Sequence, residues 1–512
     1  MKFVELAATS AAVASTSARR TKIDLLAETL RRLPEHEVAA GAAYLCGELR
    51  QRQIGVGWAS LREVPAPAET ATLSIEEVDA ALERIGATSG TGSQTRRREQ
   101  LHALFAQATA PEQLMLRGLL SGELRQGAQV GLLVDSIARA ADVELGLVRR
   151  ALLLSGDFKT VARAALFGGA GELAGFGLQV GRPLAPMLAQ SAASIADALA
   201  TTGAPAVADA KLDGIRIQVH RSGSDIGVYT RSLDDITARV PEVVAAVAEL
   251  PLQVAVLDGE AIGLGADGRP RPFQETASRA GRRDPTEAGL GEHLLPYFFD
   301  LLHLDGTDLL DEPGRQRWAA LDATIPAGLL VSRRIVETLP AGEEAFAAAL
   351  AAGQEGVVIK APGAPYDVGR RGGAWVKVKP RHTLDLVVLA AEWGHGRRHG
   401  WLSNLHLGAR DPANGGFVML GKTFKGLTDD LLRWQTERFL EIAVDRGDWV
   451  VTVRPELVVE IAFDGVQTST RYPGGVALRF ARVLRYRPDK TAAEADTINT
   501  IYAIQQGRAG AR

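Results

Sequence analysis

Near residue 182 the texture of the chain changes, and that change limits the folds open to it. Before it, apolar residues recur at helical spacing. "KIDLLAETLRRL", "PEQLMLRGLLSGELRQGAQVGLLVDSIARAADV" and "LLLSGDFKTVARAALF" all show this pattern, and strand alternation is nearly absent. After it, short β-branched runs alternate with Asp-Gly and Gly-Gly turns: "IRIQVHR", "GVYTRS", "QVAVLDGEAIGL", "LLPYFFDLLHL", "EGVVIKAP" and "WVKVKP". Helical pieces such as "PEVVAAVAEL" and "GEEAFAAALAAG" lie between them. An all-α N-terminal domain is therefore expected, followed by an α+β domain built on antiparallel sheet. The Gly-rich "FGGAGELAGFG", residues 167–177, is expected to be the linker between them. From about residue 384, "LDLVVLAAEW", "FVMLGKTF" and "ELVVEIAF" form another strand-rich block around one helical piece, which suits a small β-barrel. At roughly 150 residues per domain, 512 residues agree with about three domains.

Composition narrows the class further. The 46% apolar and 23% charged residues are those of ordinary globular material. A net charge of −3 neither announces nor forbids a nucleic-acid partner, because phosphate binding depends on where the basic residues lie. The lone cysteine, Cys46, excludes an internal disulfide and a cysteine-based zinc site, and fits a reducing cytoplasm. The first twenty residues read as a helix and not as a leader: Glu5 and several Ser and Thr interrupt the apolar run, and Arg19 and Arg20 follow it. No run of about 18 apolar residues occurs, so no membrane span is expected.

One lysine stands out. In "ADAKLDGIRIQVHR", Lys211 precedes an Asp213-Gly214 turn of the kind that closes hairpins. Beyond it, Ile215, Ile217 and Val219 share one strand face, and Arg216, Gln218 and His220 share the other. "WVKVKP" places Trp375, Lys377 and Lys379 on one face, with the two lysines about 7 Å apart. Such lysines repel unless an anion or water lies between them. Glu260 and Glu355 fall at strand positions, and Arg370 and Arg371 precede the lysine pair. Cations and carboxylates at strand edges suit a metal-assisted polyphosphate site. A lysine nucleophile there must lose its proton, which burial and neighbouring positive charge favour.

"KLDGIR" resembles the Lys-x-Asp-Gly-x-Arg motif of the covalent nucleotidyltransferases, the polynucleotide ligases and capping enzymes. "TRSLDD", "LDGEAIG", "YFFDLLHLDG", "EGVVIK", "WVKVK" and "RFARVLRYRPDK" resemble the family's later motifs, in the family's order, over residues 211–490. "AAYLCGELRQRQIGVGWASL" and "LLSGELRQGAQVGLLVDSIARA" resemble the helical DNA-binding domain of cellular ATP-dependent DNA ligases, and "GRPLAPMLAQ" their lead-in to the catalytic core. Bacterial ATP-dependent DNA ligases thus give the fullest resemblance.

The resemblance implies a helical DNA-binding domain over 1–178, a nucleotidyltransferase domain over 182–382 and an OB-fold barrel over 383–505. It implies ATP with Mg²⁺, or Mn²⁺ in its place, and a monomer that encircles nicked duplex DNA in the cytoplasm. Lys211 matches the nucleophile that forms a lysyl-adenylate, from which AMP passes to the 5′-phosphate of a nick before the 3′-hydroxyl attacks. Asp209 lies where the family carries a glutamate on the adenine side, one methylene longer. Arg216 and Arg231 match nucleotide or nick-phosphate contacts, and Glu260 the residue facing ribose and metal. Phe299, or its neighbour Phe298, matches the aromatic stacked on adenine. Glu355 matches a metal-associated carboxylate, and Arg371, Lys377 and Lys379 match phosphate binders. Arg487, Asp489 and Lys490 match the barrel motif that orients pyrophosphate, and the barrel is expected to close for the first step and swing away for DNA.

DNA contact is expected at the basic loops "GHGRRHG", residues 394–400, and "TRRREQ", residues 95–100, through phosphates and without sequence preference. "GATSGTGS" lacks the Gly-Lys-Ser/Thr ending of a phosphate loop and reads as plain loop. Rival readings are a capping enzyme, an RNA ligase, an NAD-dependent ligase and a non-catalytic DNA-binding protein. The helical block argues against the first two, the single cysteine against the third, and the full set of charged motif residues against the last.

Overall fold

The helical spacing of the first 160 residues is realised as a series of short helices. The computed structural model describes residues 1–51, 54–124, 126–127, 129–265, 268–281 and 293–506. Among the helices are Phe3–Ala14, Arg19–Arg31, Val38–Cys46, Ile75–Ala87, Ser93–Gln107, Ala110–Ser121, Val130–Ala141 and Leu145–Ser155. Their ends follow local chemistry. Ser74 and Glu77 form a capping box that satisfies the first amides of Ile75–Ala87. Gly122, at φ 70°, ends Ala110–Ser121 in the left-handed conformation. The apolar stripes meet in one core that includes Phe3, Leu26, Tyr44, Leu82, Phe105 and Ile137. Arg52, Gln53, Arg125 and Ala128, within the two motifs of this region, lie outside the described residues.

Two expectations for this region need correction. Residues 167–177 are not an open linker. A π-helical turn, Ala164–Gly168, runs into the helix Gly169–Ala174, and Glu172 pairs with Arg163 at 2.6 Å. Local glycine content misled because tertiary packing overrides propensity: Ala164, Ala165 and Leu173 are buried in the helical core. "TRRREQ" is likewise no loop but the start of Ser93–Gln107. Arg97 donates to the carbonyls of Ile85 and Thr88, and Arg96 to those of Ser89 and Thr91. Both arginines therefore satisfy backbone groups near the end of the preceding helix.

The chain divides into two compact units, the first comprising Met1–Leu188, Gly214–Leu330 and Gly363–Gly372, the second Ala189–Asp213, Val331–Pro362 and Gly373–Arg512. In chain order the strands of the α+β region are β1 (Leu188–Ala192), β2 (Ala206–Lys211), β3 (Ile215–Ser222), β4 (Asp225–Thr230), β5 (Val254–Gly263), β6 (Leu294–Leu304), β7 (Thr307–Asp308), β8 (Arg333–Val336), β9 (Gly356–Lys360) and β10 (Arg371–Val378). One antiparallel sheet runs β4-β3-β5-β6-β7 and belongs to the first unit. Its inner face carries Ile217, Val219, Leu257, Phe298 and Leu301. The other runs β1-β10-β9-β2-β8, and its Ala206, Ala208, Ile359, Val376 and Val378 share a core with Ala345 and Ala349 of the helix Leu339–Ala351.

The expected hairpin at Asp213-Gly214 does not form. β2 and β3 belong to different sheets, so this turn is a crossover. The glycine is needed for close approach: a Cβ there would lie 2.4 Å from the carbonyl oxygen of Ala261.

The C-terminal region contributes β11 (His382–Trp393), β12 (Leu402–Arg410), β13 (Phe417–Thr423), β14 (Ala443–Arg446), β15 (Val450–Val453), β16 (Val458–Phe463), β17 (Gly465–Thr468), β18 (Val476–Arg479) and β19 (Arg482–Tyr486). The long β11 serves two neighbours on one edge. Residues 382–387 pair with β16, and 390–392 with β15. The strands and the helix Asp429–Glu441 enclose a core around Leu405, Leu420, Phe439 and Ile461. Among the described residues the ladder ends at β13, β14 and β19 and is not closed, which the expected OB-fold, a partly open barrel, allows.

Candidate active site

In the second unit, β2 ends on Lys211, and the residue that opens β9 follows Glu355, whose amide donates to the Lys211 carbonyl at 2.9 Å. This pairing places the Glu355 carboxylate 2.5 Å from Lys211 Nζ, with side-chain exposures of 14% and 22%. Lys379, just past β10, contacts the other oxygen of Glu355 and lies 3.4 Å from Asp464. One carboxylate thus stands between two ammonium groups. Burial pushes the Glu355 carboxyl up, but Lys211 and Lys379 outweigh burial and hold it below the usual carboxylate range.

Asp209, two residues before Lys211, is buried against Arg333 at 2.7 Å and Lys360 at 2.6 Å. Burial raises its pKa, and the two cations more than reverse this. Lys360 in turn sits 4.2 Å from the Trp375 ring centroid. The one-methylene-shorter Asp209 is therefore a member of a buried charge cluster. Lys377, on β10, shares the strand face of Trp375.

In the first unit, Arg216 on β3 lies with its guanidinium carbon 4.6 Å from the Phe299 ring centroid. Phe298, the alternative aromatic, is fully buried in the core beneath the sheet. Glu260, opposite Arg216 in the β3–β5 register, accepts the Gly214 amide at 3.2 Å. Arg231 is exposed in the turn after β4, and Arg371 is exposed at the start of β10. Glu260 and Glu355 thus belong to different units. Among the described residues no three His, Cys, Asp or Glu side chains gather as a metal-holding group.

Arg487, Asp489 and Lys490 follow β19 as a set of their own. Arg487 binds Asp489 at 2.6 Å and Asp385 at 3.1 Å, and Lys490 binds Asp385 at 2.5 Å. The hydrogen bond from Arg487 holds the Asp489 carboxyl down at about 2. The basic stretch 394–400 is a loop between β11 and β12, as expected, and Arg398 donates to the carbonyl of Phe424.

Several residues here escaped the sequence reading. Asp258 takes both Arg216 nitrogens, at 2.5 and 2.6 Å. It lies two positions from Glu260, so period-2 alternation puts both on one face and was a usable signal. Asp385, which gathers Arg487 and Lys490, lies about a hundred residues away in sequence and carried no signal. Arg479 donates to Asp213 of the motif turn at 2.9 Å. Its neighbour Phe480, at φ 56° and 61% exposed, is flanked by Arg479 and Lys425.

Three family models match the chain in order: "DNA ligase N terminus" over residues 59–138, "ATP dependent DNA ligase domain" over 186–379 and "ATP dependent DNA ligase C terminal region" over 398–490. A "Probable DNA ligase" of Mycolicibacterium gilvum is 57% identical over 508 residues, covering 99% of both chains. Another "Probable DNA ligase", of Beutenbergia cavernae, is 58% identical over 98% of this chain and 99% of that one. Among solved structures, one titled "Pmar-Lig_PreS3" covers 94% of this chain and 99% of its own at a TM-score of 0.54 and 17% identity, a likeness of fold. A nucleotidyltransferase core with a helical region before it and a β-rich domain after it is the make-up of a polynucleotide ligase. The chain belongs to the family of ATP-dependent DNA ligases.

Proposed function

We propose that this ligase seals nicks in duplex DNA, with Lys211 as the nucleophile. The observation that carries the reading is the placement of Lys211: at a strand end, partly exposed, paired with Glu355 and close to the Arg479–Asp213 contact. Lys211 Nζ, once deprotonated, attacks the α-phosphorus of ATP. A nitrogen–phosphorus bond forms, and the bond to pyrophosphate breaks. The adenylyl group then passes to the 5′-phosphate, freeing the lysine. The 3′-hydroxyl attacks that phosphate, its proton is lost, and AMP leaves.

Charge stabilisation and alignment are the main demands of such displacements. Arg216, Arg231, Arg371, Lys377 and Lys379 supply cations, Phe299 an aromatic face and Asp209 a polar neighbour of the nucleophile strand. A divalent cation fits this donor set, because Mg²⁺ is held by one or two carboxylates together with phosphate oxygens and water and needs no protein cage. By the resemblance Glu260 or Glu355, each in its own unit, would supply the carboxylate, and the cation would neutralise the triphosphate. Arg487, Asp489 and Lys490 would orient pyrophosphate when the C-terminal domain closes for the first step, before it swings away for DNA. The domains act as 1–178, 182–382 and 383–505, in a cytoplasmic monomer wrapped around the nick. The exposed Phe480 between two cations suits a nucleic-acid contact.

The test is label transfer. With Mg²⁺ and ATP labelled at the α-phosphate, label should appear on the protein, leave on a chase with nicked DNA, and yield sealed strands. Label that leaves only with nicked RNA would move the assignment to RNA repair.

A further inference from the structure

Asp258, on β5 of the first unit's sheet, is a fully enclosed carboxylate, with a side-chain exposure of 0%. Arg216 Nε donates to its Oδ1 at 2.5 Å and Nη2 to its Oδ2 at 2.6 Å, a bidentate fork. A third donor converges on it: the Tyr366 hydroxyl, 2.5 Å from Oδ2. That hydroxyl also lies 3.1 Å from the Met187 amide nitrogen. An amide N–H can only donate, so the phenol oxygen accepts it, and its single proton is directed to Asp258. Arg216 Nη2 closes the ring by reaching the Met187 carbonyl at 3.3 Å. Burial first, and Asp258 second, raise the Tyr366 pKa, so the phenol stays a neutral donor that adds no charge beside the Arg216–Asp258 pair.

We infer that Tyr366 is a positioning residue for Arg216. By fixing Oδ2 of Asp258 it fixes the guanidinium plane that lies over Phe299. The phenol reaches that oxygen from outside β3 and β5. Tyr366 comes from the segment Gly363–Gly372 that leads into Arg370 and Arg371, so one phenol ties the Arg216 strand to the segment that carries two further cations. The inference rests on the reading that Arg216 contacts the nucleotide.

The experiment is Tyr366→Phe in the full chain, with the ATP dependence of lysyl-AMP formation and the thermal midpoint both measured. Phenylalanine keeps the ring and deletes only the hydroxyl. The expected result is a KM for ATP raised about tenfold with kcat little changed, the scale of one lost hydrogen bond to a charged group. In an Arg216→Lys background, which has no fork to orient, the same change should have less than a twofold effect. An unchanged KM in Y366F, or an equal loss in both backgrounds, overturns the inference. An Arg216→Lys protein with wild-type KM overturns the reading of Arg216 itself and takes this inference with it. Should Y366F not accumulate folded, Asp258→Asn probes the same link: a raised KM supports it and an unchanged one sinks it.

Discussion

Two carboxylates organise the cations of this ligase in opposite ways. Asp258 is sealed, and among the described residues two guanidinium nitrogens and a phenol reach it. Glu355 is partly open and stands between two ammonium groups. The first arrangement fixes geometry, because a buried pair that loses one member leaves an uncompensated charge. The second leaves its groups exchangeable, because water and incoming phosphate can replace an ion pair that solvent already reaches. In the proposed mechanism the binding arginine keeps its orientation through the reaction, whereas the nucleophilic lysine is released, deprotonated and later regained.

The contrast yields predictions that descend in size. Lys211→Ala should abolish protein labelling by α-labelled ATP while shifting the thermal midpoint little. Persistent labelling would remove Lys211 from its role. Asp258→Ala should destabilise by about 3 kcal/mol, because the Arg216 guanidinium loses a fully enclosed counter-ion and the Tyr366 hydroxyl its acceptor. A urea midpoint close to wild type would show that the sealed cluster does not hold the fold. Third, His220 is buried beside this sheet, and burial, with His303 adding to it, depresses its pKa to about 4. Between about 6.5 and that value the unfolded chain binds the extra proton. Stability from this group is therefore complete above about pH 6.5 and falls by about 1.4 kcal/mol per pH unit on acidification. His220→Gln should flatten that slope in pH-dependent denaturation. The smallest effect belongs to Glu355→Gln, about 1–2 kcal/mol in stability, since glutamine keeps an acceptor oxygen and both lysines retain some access to water. A loss as large as that of Asp258→Ala would erase the distinction between the two carboxylates.

How much of this was readable in the sequence depended on the range of the interaction. Helices announced themselves through spacing, and the strands through β-branched runs, because both patterns are local. Lys211, Glu355 and Lys379 were each visible as motif residues, and the structure joins them. What stayed hidden was pairing. Asp213-Gly214 has the chemistry of a hairpin turn, but sheet membership, which is decided by partners far along the chain, made it a crossover. Asp385 and Tyr366 lie about a hundred residues or more from the groups they hold, with nothing in their surroundings to mark them. The glycines of 167–177 gave the wrong local signal because burial of Ala164, Ala165 and Leu173 settled the matter.

The outer face of β3 bears Gln218 and His220, and both are used on one passing segment. Gln218 exchanges hydrogen bonds with Leu184, whose amide it accepts at 2.7 Å and whose carbonyl it reaches at 3.2 Å, and His220 accepts the Gly181 amide at 2.9 Å. Residues 181–184 are therefore a lid of main chain over a polar sheet face. For anyone dissecting the enzyme, this sets the physical edge of the catalytic fragment. The middle family model begins at residue 186, after that lid has passed. A fragment cut there would bare a buried glutamine and histidine to solvent, whereas one begun near 178 would carry its own cover.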